Sequence, residues 1–183
     1  MDIPELDTER LTLGRLEESD LPRVAGLAGD RDVARNTESI PHPYSEEDAR
    51  DFLEIVREAA SEGTGCVFAI RFGESGDLIG AVGVHPEPEH GRAWLGYWIG
   101  KPYWNRGYAT EATRRAVKWA FEEQATVEIE RLYAETFARN GASCRMVEKV
   151  GMKEEGHLRR HFRKWDEYVD VKVYGLLREG WKK

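Results

Sequence analysis

Residues 93–121 read A-W-L-G-Y-W-I-G-K-P-Y-W-N-R-G-Y-A-T-E-A-T-R-R-A-V-K-W-A-F, and the order of properties along them decides the fold. Residues 93–99 are aromatic and aliphatic enough for a strand. Gly96, in the middle, marks a bulge or a close backbone approach. Gly100-Lys101-Pro102 supplies a turn. From there small or apolar residues fall at Ala109, Ala112, Thr113, Ala116, Val117, Ala120 and Phe121, the stripe of an amphipathic helix with one buried face. The helix opens on Asn105-Arg106-Gly107-Tyr108-Ala109. A glycine there leaves backbone N–H groups open, the helix dipole favours negative charge, and Arg106 adds a cation. Strand, glycine turn and basic helix start together make a phosphate cradle. Plain turn chemistry accounts for the same glycine, so the cradle needs support from elsewhere. It is neither a Walker loop nor a dinucleotide fingerprint, since G-x-x-x-x-G-K-[ST] and G-x-G-x-x-G are both missing.

Outward from this stretch the chain alternates strand and helix signals. Residues 78–85 and 66–72 read as two strands around a turn at Glu74-Ser75-Gly76-Asp77. Residues 8–16 alternate Leu11 and Leu13 with polar partners, a first strand. Ser19-Asp20 is placed to cap a helix through Leu21, Val24, Leu27 and Ala28, with Pro22 tolerated in its first turn. Residues 36–44 form a loop punctuated by Pro41 and Pro43. Ser45-Glu46-Glu47-Asp48 resembles a capping box for a helix whose apolar face is Ala49, Phe52, Leu53, Val56, Ala59 and Ala60. Downstream lie a strand at residues 131–137 and a short helix at 140–150 stopped by Gly151. Residues 154–163 and 168–177 close the chain as an antiparallel pair. No repeat or linker interrupts this order, so residues 1–183 are expected to form one mixed α/β domain.

Composition narrows the function class. A chain of 183 residues, 40% hydrophobic with six Trp, can bury a real core without staples. No apolar run approaches the roughly 18 residues of a membrane helix, and the acidic opening Met-Asp-Ile-Pro-Glu-Leu-Asp lacks a signal-peptide pattern. Cys66 and Cys144 have no metal-finger or C-x-x-C spacing, so a reduced, cytoplasmic setting is expected. A net charge of −7 argues against direct nucleic-acid binding and mildly favours cationic substrates. His157 and His161 are four apart with no acid between them, so no metal is expected. The basic run of residues 159–164 reads as surface charge, with a polymer or a phosphate as its functional alternative.

At this point two motifs carry a resemblance. Trp104-Asn105-Arg106-Gly107-Tyr108-Ala109-Thr110-Glu111-Ala112 resembles the acetyl-CoA pyrophosphate loop of the GNAT N-acetyltransferases, with signature [QR]-x-x-G-x-[GA]. Gly107 and Ala109 fit, whereas Trp104 stands where Gln or Arg is usual. Asn140-Gly141-Ala142-Ser143-Cys144-Arg145-Met146-Val147-Glu148-Lys149-Val150-Gly151-Met152 is similar to the N-x-x-S-x-x-x-x-E-K-x-G-F segment of the RimJ/RimL-like branch. Thr8-Glu9-Arg10-Leu11 and the pair Tyr168 and Asp170 extend the likeness over nearly the whole chain. The resemblance implies an α/β (α+β) GNAT fold. Its central mixed, mostly antiparallel sheet of about seven strands is flanked by helices, with a splay between the fourth strand (93–99) and the fifth (131–137). It implies acetyl-CoA as co-substrate. Pantetheine is then expected on backbone groups of Trp98, Ile99 and Gly100, with Asn140 holding its arm. Pyrophosphate is expected on Asn105, Arg106, Gly107, Tyr108, Ala109 and Thr110, with Gly107 leaving room for its approach.

The implied reaction is attack of an amine on the thioester. The acceptor is expected to be a protein N-terminal α-amine, with a polyamine, amino sugar or antibiotic as alternative; a silent acetyl-CoA-binding module is the competing class. Monomer and homodimer both stay open. Two departures bear on catalysis. Trp94 stands where many relatives carry a Glu that serves as base, leaving Glu135, His85 and Asp170 as candidates. Val147 stands where relatives carry a tyrosine that protonates the thiolate. Ser143, one turn earlier, is the replacement donor, or else a helix-start serine bonding backbone.

Overall fold

The computed structural model describes residues 3–73, 75–124 and 126–181. The sheet is built from β1 (Leu6–Asp7), β2 (Leu11–Gly14), β3 (Cys66–Phe72), β4 (Leu78–Glu87), β5 (Arg92–Ile99), β6 (Arg131–Phe137), β7 (Lys153–Lys164) and β8 (Glu167–Leu177). Their order across it is β1-β2-β3-β4-β5-β6-β8-β7. Every neighbouring pair is antiparallel except β5 and β6, which run parallel. Among the described residues five α-helices flank it: α1 (Leu21–Ala28), α2 (Arg31–Arg35), α3 (Glu46–Glu62), α4 (Tyr108–Lys118) and α5 (Gly141–Val150).

Strand alternation sends successive side chains to opposite faces, and both faces are covered. On one, Phe68, Ile70, Leu95 and Ile99 pack against Ala112, Ala116 and Val117 of α4 and Met146 and Val147 of α5. On the other, Val67, Ala69 and Trp98 meet Val24 of α1, Val33 of α2 and Leu53 and Val56 of α3. Full burial of a side chain such as Phe68 contributes about 1.5–3 kcal/mol, so these two layers supply the main drive to fold.

One strand more is present than expected, because β1 (Leu6–Asp7) precedes the expected first strand, of which only Leu11–Gly14 is strand. The Thr8 amide donates to the Leu11 carbonyl at 2.9 Å and its hydroxyl bonds Leu11 again, folding the chain into a turn between β1 and β2. The first helix is not capped by the Asp20 side chain. That carboxylate accepts the Glu17 amide and is clamped by the Arg71 guanidinium at 2.6 Å, and a 3-10 turn leads into α1 instead. The capping box at Ser45 and Asp48 closes as expected, and Gly151, at φ +111°, stops α5. The amphipathic helix ends as α-helix at Lys118 and finishes in a π turn, Trp119–Glu123. Of the expected hairpin turn, Glu74 lies outside the described residues; Gly76 takes φ +70°.

The feature that positions everything else is the short β5–β6 ladder. Only Arg92, Ala93 and Trp94 pair with β6, at Arg131, Leu132 and Tyr133. Beyond Trp94 the strands part, while β5 stays paired with β4 through Ile99. An edge of unpaired backbone therefore opens inside the sheet, with the starts of α4 and α5 on either side.

Candidate active site

The splay opens onto a cleft of about 340 Å³ lined by Tyr103, Trp104, Gly107, Thr110, Asn140 and Arg145, among others. Its floor is the start of α4. Gly107 is the residue before the helix, at φ +84°, and the first helical bond runs from the Glu111 amide to its carbonyl at 3.0 Å. The amides of Tyr108, Ala109 and Thr110 therefore have no partner within the helix. Asn105 also has positive φ, +60°, a conformation its short polar side chain tolerates. Arg106 is exposed beside them, and Arg145 and Lys149 line the cleft; none of the three forms an ion pair among the described residues. A Cβ on Gly107 would lie 3.4 Å from Arg10 Nη2, behind the loop. The glycine is thus required for its left-handed backbone, not for the space in front of it.

Behind the loop, Glu111 ties the cradle to the β1–β2 turn. Its Oε1 accepts the Thr8 hydroxyl at 2.7 Å and the Arg10 amide at 2.9 Å, and its Oε2 accepts Arg10 Nε at 2.7 Å. Arg10 also donates to the Arg106 carbonyl and lies over the Tyr108 ring. Burial pushes the Glu111 carboxyl up, but the bonds from Thr8 and Arg10 outweigh it and hold the group below the usual carboxylate range.

The three backbone positions expected to face the splay divide. The Gly100 amide donates to the Ile79 carbonyl at 2.8 Å, and a Cβ at Gly80 would lie 2.2 Å from the Trp98 carbonyl oxygen. Both groups thus face β4. Alternation along an antiparallel ladder then turns Tyr97 and Ile99 toward the gap. Trp104, the departure from the family signature, donates its indole N–H to the Ile99 carbonyl at 2.7 Å and so braces the end of β5. Asn140 caps α5, its Oδ1 accepting the Ser143 amide at 3.2 Å, which leaves its Nδ2 for the cleft.

Across the splay lies a second cavity, of about 660 Å³. Its walls are mostly apolar, including Trp94, Trp98, Phe52, Phe137 and Phe162. Its charged lining residues are Glu38, Asp48, Asp51 and Glu135; among the described residues no Lys or Arg lines it. Burial, and then the Glu135 charge, raise the Glu38 carboxyl above its ordinary value. The loop over this cavity is fastened by Lys164, whose Nζ donates to the carbonyls of Glu38 and Ile40 at 3.1 and 2.7 Å. Lys164 is 7% exposed, which corrects the reading of residues 159–164 as one surface run. Arg159, Arg160 and His161 do border solvent, on a separate shallow pocket.

His85 lines the cavity, packed on Trp94 at 5.0 Å between centroids, and has no hydrogen-bond partner among the described residues. Gly65 and Gly83 make room for it, since a Cβ on either would fall within 2.8 Å of a ring nitrogen. Burial lowers its pKa, so the imidazole is neutral at pH 7. Glu135 faces the same cavity from β6. Asp170 does not line it; one oxygen accepts the Arg160 amide at 2.8 Å and the other bonds His157 at 3.0 Å.

Cleft and cavity meet along Asn36, Thr37, Tyr97, Trp98 and Ser143, which line both. The Tyr97 phenol donates to Ser143 Oγ at 2.8 Å. The sequence reading passed over Tyr97, although a signal was present. Leu95, Tyr97 and Ile99 share a face, and a phenol among aliphatics requires a polar partner.

Comparison with known proteins agrees with this geometry. N-acetyltransferase p20 of Bacillus licheniformis is 28% identical over 174 residues, covering 94% of this chain and 96% of that protein. The crystal structure of a GNAT-family acetyltransferase from Bacillus anthracis superposes with a TM-score of 0.83 at 26% identity, covering 96% of this chain and 99% of that one. RimL, a ribosomal L7/L12 α-N-protein acetyltransferase solved with coenzyme A, shares the fold at a TM-score of 0.84 and 17% identity over 95% of this chain and 98% of its own. Residues 10–153 match the acetyltransferase (GNAT) domain family, and the chain belongs to that family as an N-acetyltransferase.

Proposed function

We propose that the chain transfers acetyl from acetyl-CoA to a primary amine, with a protein N-terminal α-amine as the favoured acceptor. The observation that carries this reading is the pair of opposed sites. A cleft bearing free helix amides and unpaired cations adjoins a carboxylate-bearing cavity lined by no Lys or Arg among the described residues, and the hydroxyl pair of Tyr97 and Ser143 lies where they meet. The cleft fits the donor molecule: amides of Tyr108, Ala109 and Thr110 and the cations Arg106, Arg145 and Lys149 suit its phosphates, and Ile99 and Asn140 Nδ2 suit its amide arm. Bound there, acetyl-CoA supplies an acetyl thioester. A cavity of this volume is typical of sites that take a whole small molecule or a peptide end.

The chain's own residues then divide the work. The acidic lining draws in an ammonium group and the apolar walls desolvate it. His85, neutral and unpartnered, accepts a proton at a ring nitrogen. A base this weak favours amines that ionise near neutrality. At pH 7 an α-amine of pKa about 8 costs about 1.4 kcal/mol to deprotonate, against about 4.6 kcal/mol for a lysine-type amine. That difference supports the α-amine over a polyamine. Thiol release with matched α-amine and lysine-side-chain peptides tests the reading, with the α-amine expected to show the higher kcat/KM. A preference for polyamines overturns the acceptor, and no thiol release with any amine overturns the transferase.

A further inference from the structure

Ser143 and Tyr97 make one more assignment. Resting on the transferase reading above, we propose that Tyr97 is a positioning residue: its phenol occupies Ser143 Oγ as an acceptor and so turns the Ser143 hydroxyl proton into the cleft, toward the leaving sulfur.

The argument begins with what a serine at a helix start usually does. It donates back to a carbonyl three or four residues earlier, or accepts from a backbone amide. Ser143 does neither. Its Oγ has one partner among the described residues, Tyr97 Oη at 2.8 Å. Its own amide is taken by Asn140 Oδ1, which fixes the helix start without using the hydroxyl. Of two hydroxyls in contact, the phenol is much the stronger acid and therefore the donor. The reverse arrangement would leave the phenolic proton without an acceptor among the described residues. Burial also pushes the Tyr97 phenol up to about 12, so it stays protonated throughout the working range. With one lone pair of Oγ used, the single Ser143 proton points away from Tyr97, and the open direction is the junction of cleft and cavity.

Val147, in the neighbouring turn of α5, offers no donor. The function that relatives give to a tyrosine on that helix is here divided. Ser143 presents the proton, and a strand tyrosine on the facing element orients it. No proton leaves Tyr97. As the C–S bond breaks, the electron pair stays on sulfur, which accepts the Ser143 O–H as a hydrogen bond, and the amine proton goes to His85.

Tyr97→Phe keeps the ring and removes only the donor, so it tests the pair directly. Calorimetry of coenzyme A binding between pH 7 and 9.5 reads the ionisation of the bound thiol without turnover. In the wild type this transition is expected below the free-thiol value of about 8.5. In Tyr97→Phe and in Ser143→Ala it is expected to return toward that value, with affinity at pH 7 changed less than threefold. Turnover should fall on the order of tenfold in Tyr97→Phe and on the order of 10²-fold in Ser143→Ala. The double variant should be no slower than Ser143→Ala, because Tyr97 acts only through Ser143. Wild-type turnover and thiol ionisation in Tyr97→Phe, or additive losses in the double variant, overturn the inference while leaving the transferase intact. A wild-type protein that releases no thiol with any amine overturns the transferase, and the calorimetric arm still decides the hydroxyl pair.

Discussion

Gly107 shows what a single residue contributes here. At φ +84° an L-residue pays roughly 1–2 kcal/mol, strain that falls on the residue leading into the free amides of α4. Gly107→Ala is therefore expected to weaken acetyl-CoA binding at least tenfold, about 1.4 kcal/mol. Calorimetry beside circular dichroism checks this, and unchanged affinity in a folded variant removes the cradle. His85 carries a second expectation. Its pKa is lowered by burial, so the unfolded chain binds the proton more readily. The corresponding stability is fully present above the ordinary value of about 6.5 and is lost as pH falls through the lower folded value. If the same imidazole is the base, kcat/KM rises along an acid limb centred below about 6.5, and His85→Gln abolishes that limb. A limb that survives in His85→Gln assigns the base elsewhere. The residue types of the site were readable in the sequence, but their directions were not. Trp98 and Ile99 look alike along the chain, yet only the ladder with β4 shows that Ile99 faces the gap. Tyr97 lacked a meaning until α5 brought Ser143 against it.

Among elements, α4 and the turn between β1 and β2 depend on each other. Glu111 sits one turn into the helix, where a carboxylate already complements the dipole, and Thr8 and Arg10 reach it from about a hundred residues away in sequence. The likeness of residues 8–11 and of residues 108–112 to one family thus has a physical cause: the two segments share one carboxylate. Arg10 is 41% exposed, so solvent reduces the value of its fork, and about 1 kcal/mol is a fair size for it. Glu111→Gln is expected to lower the Tm by about 2–4 °C and to weaken acetyl-CoA binding about threefold, because the loop above the fork loosens. A lower Tm with unchanged affinity makes the contact structural only. The long elements were legible because their periodicities are long: the stripe of α4, the capping box of α3 and the closing hairpin all appear. The short ones were not. Helix α2 is five residues, held by an Asp30 cap on the Asp32 amide at 2.8 Å, and its pattern is too brief to separate from a loop. The turn between β1 and β2 is closed by Thr8 bonding Leu11, the next pair after Leu6–Leu13 and Asp7–Thr12, a contact that no periodicity announces.

At the scale of the whole molecule, two opposite electrostatic settings lie side by side at the splay of the sheet. Charge counting along the chain gave only a net −7, which hides this division. Arg145 and Lys149 line the cleft, and Arg106 is exposed beside the residues of α4 that line it. Glu38, Asp48, Asp51 and Glu135 gather at the cavity from a loop, α3 and β6. Among the described residues no lysine or arginine lines the cavity, and the buried cation at its covering loop, Lys164, is spent on two backbone carbonyls. An acceptor that carries an anion close to its amine therefore meets repulsion without a counter-charge. Two like charges about 8 Å apart at an effective dielectric near 20 repel by about 2 kcal/mol. Salt screens this weakly, since partly buried charges are screened much less than exposed ones. A free amino acid should accordingly be acetylated with a kcat/KM at least tenfold below that of its own amide, a comparison that keeps side chain and size nearly constant. The lower amine pKa of the amide works in the same direction, so each rate is compared at equal concentration of neutral amine. Raising the salt from 0.05 to 0.5 M should narrow the remaining gap by less than half. Equal corrected rates for acid and amide would show that the carboxylates of the cavity do not face the acceptor, and would move the amine site out of it.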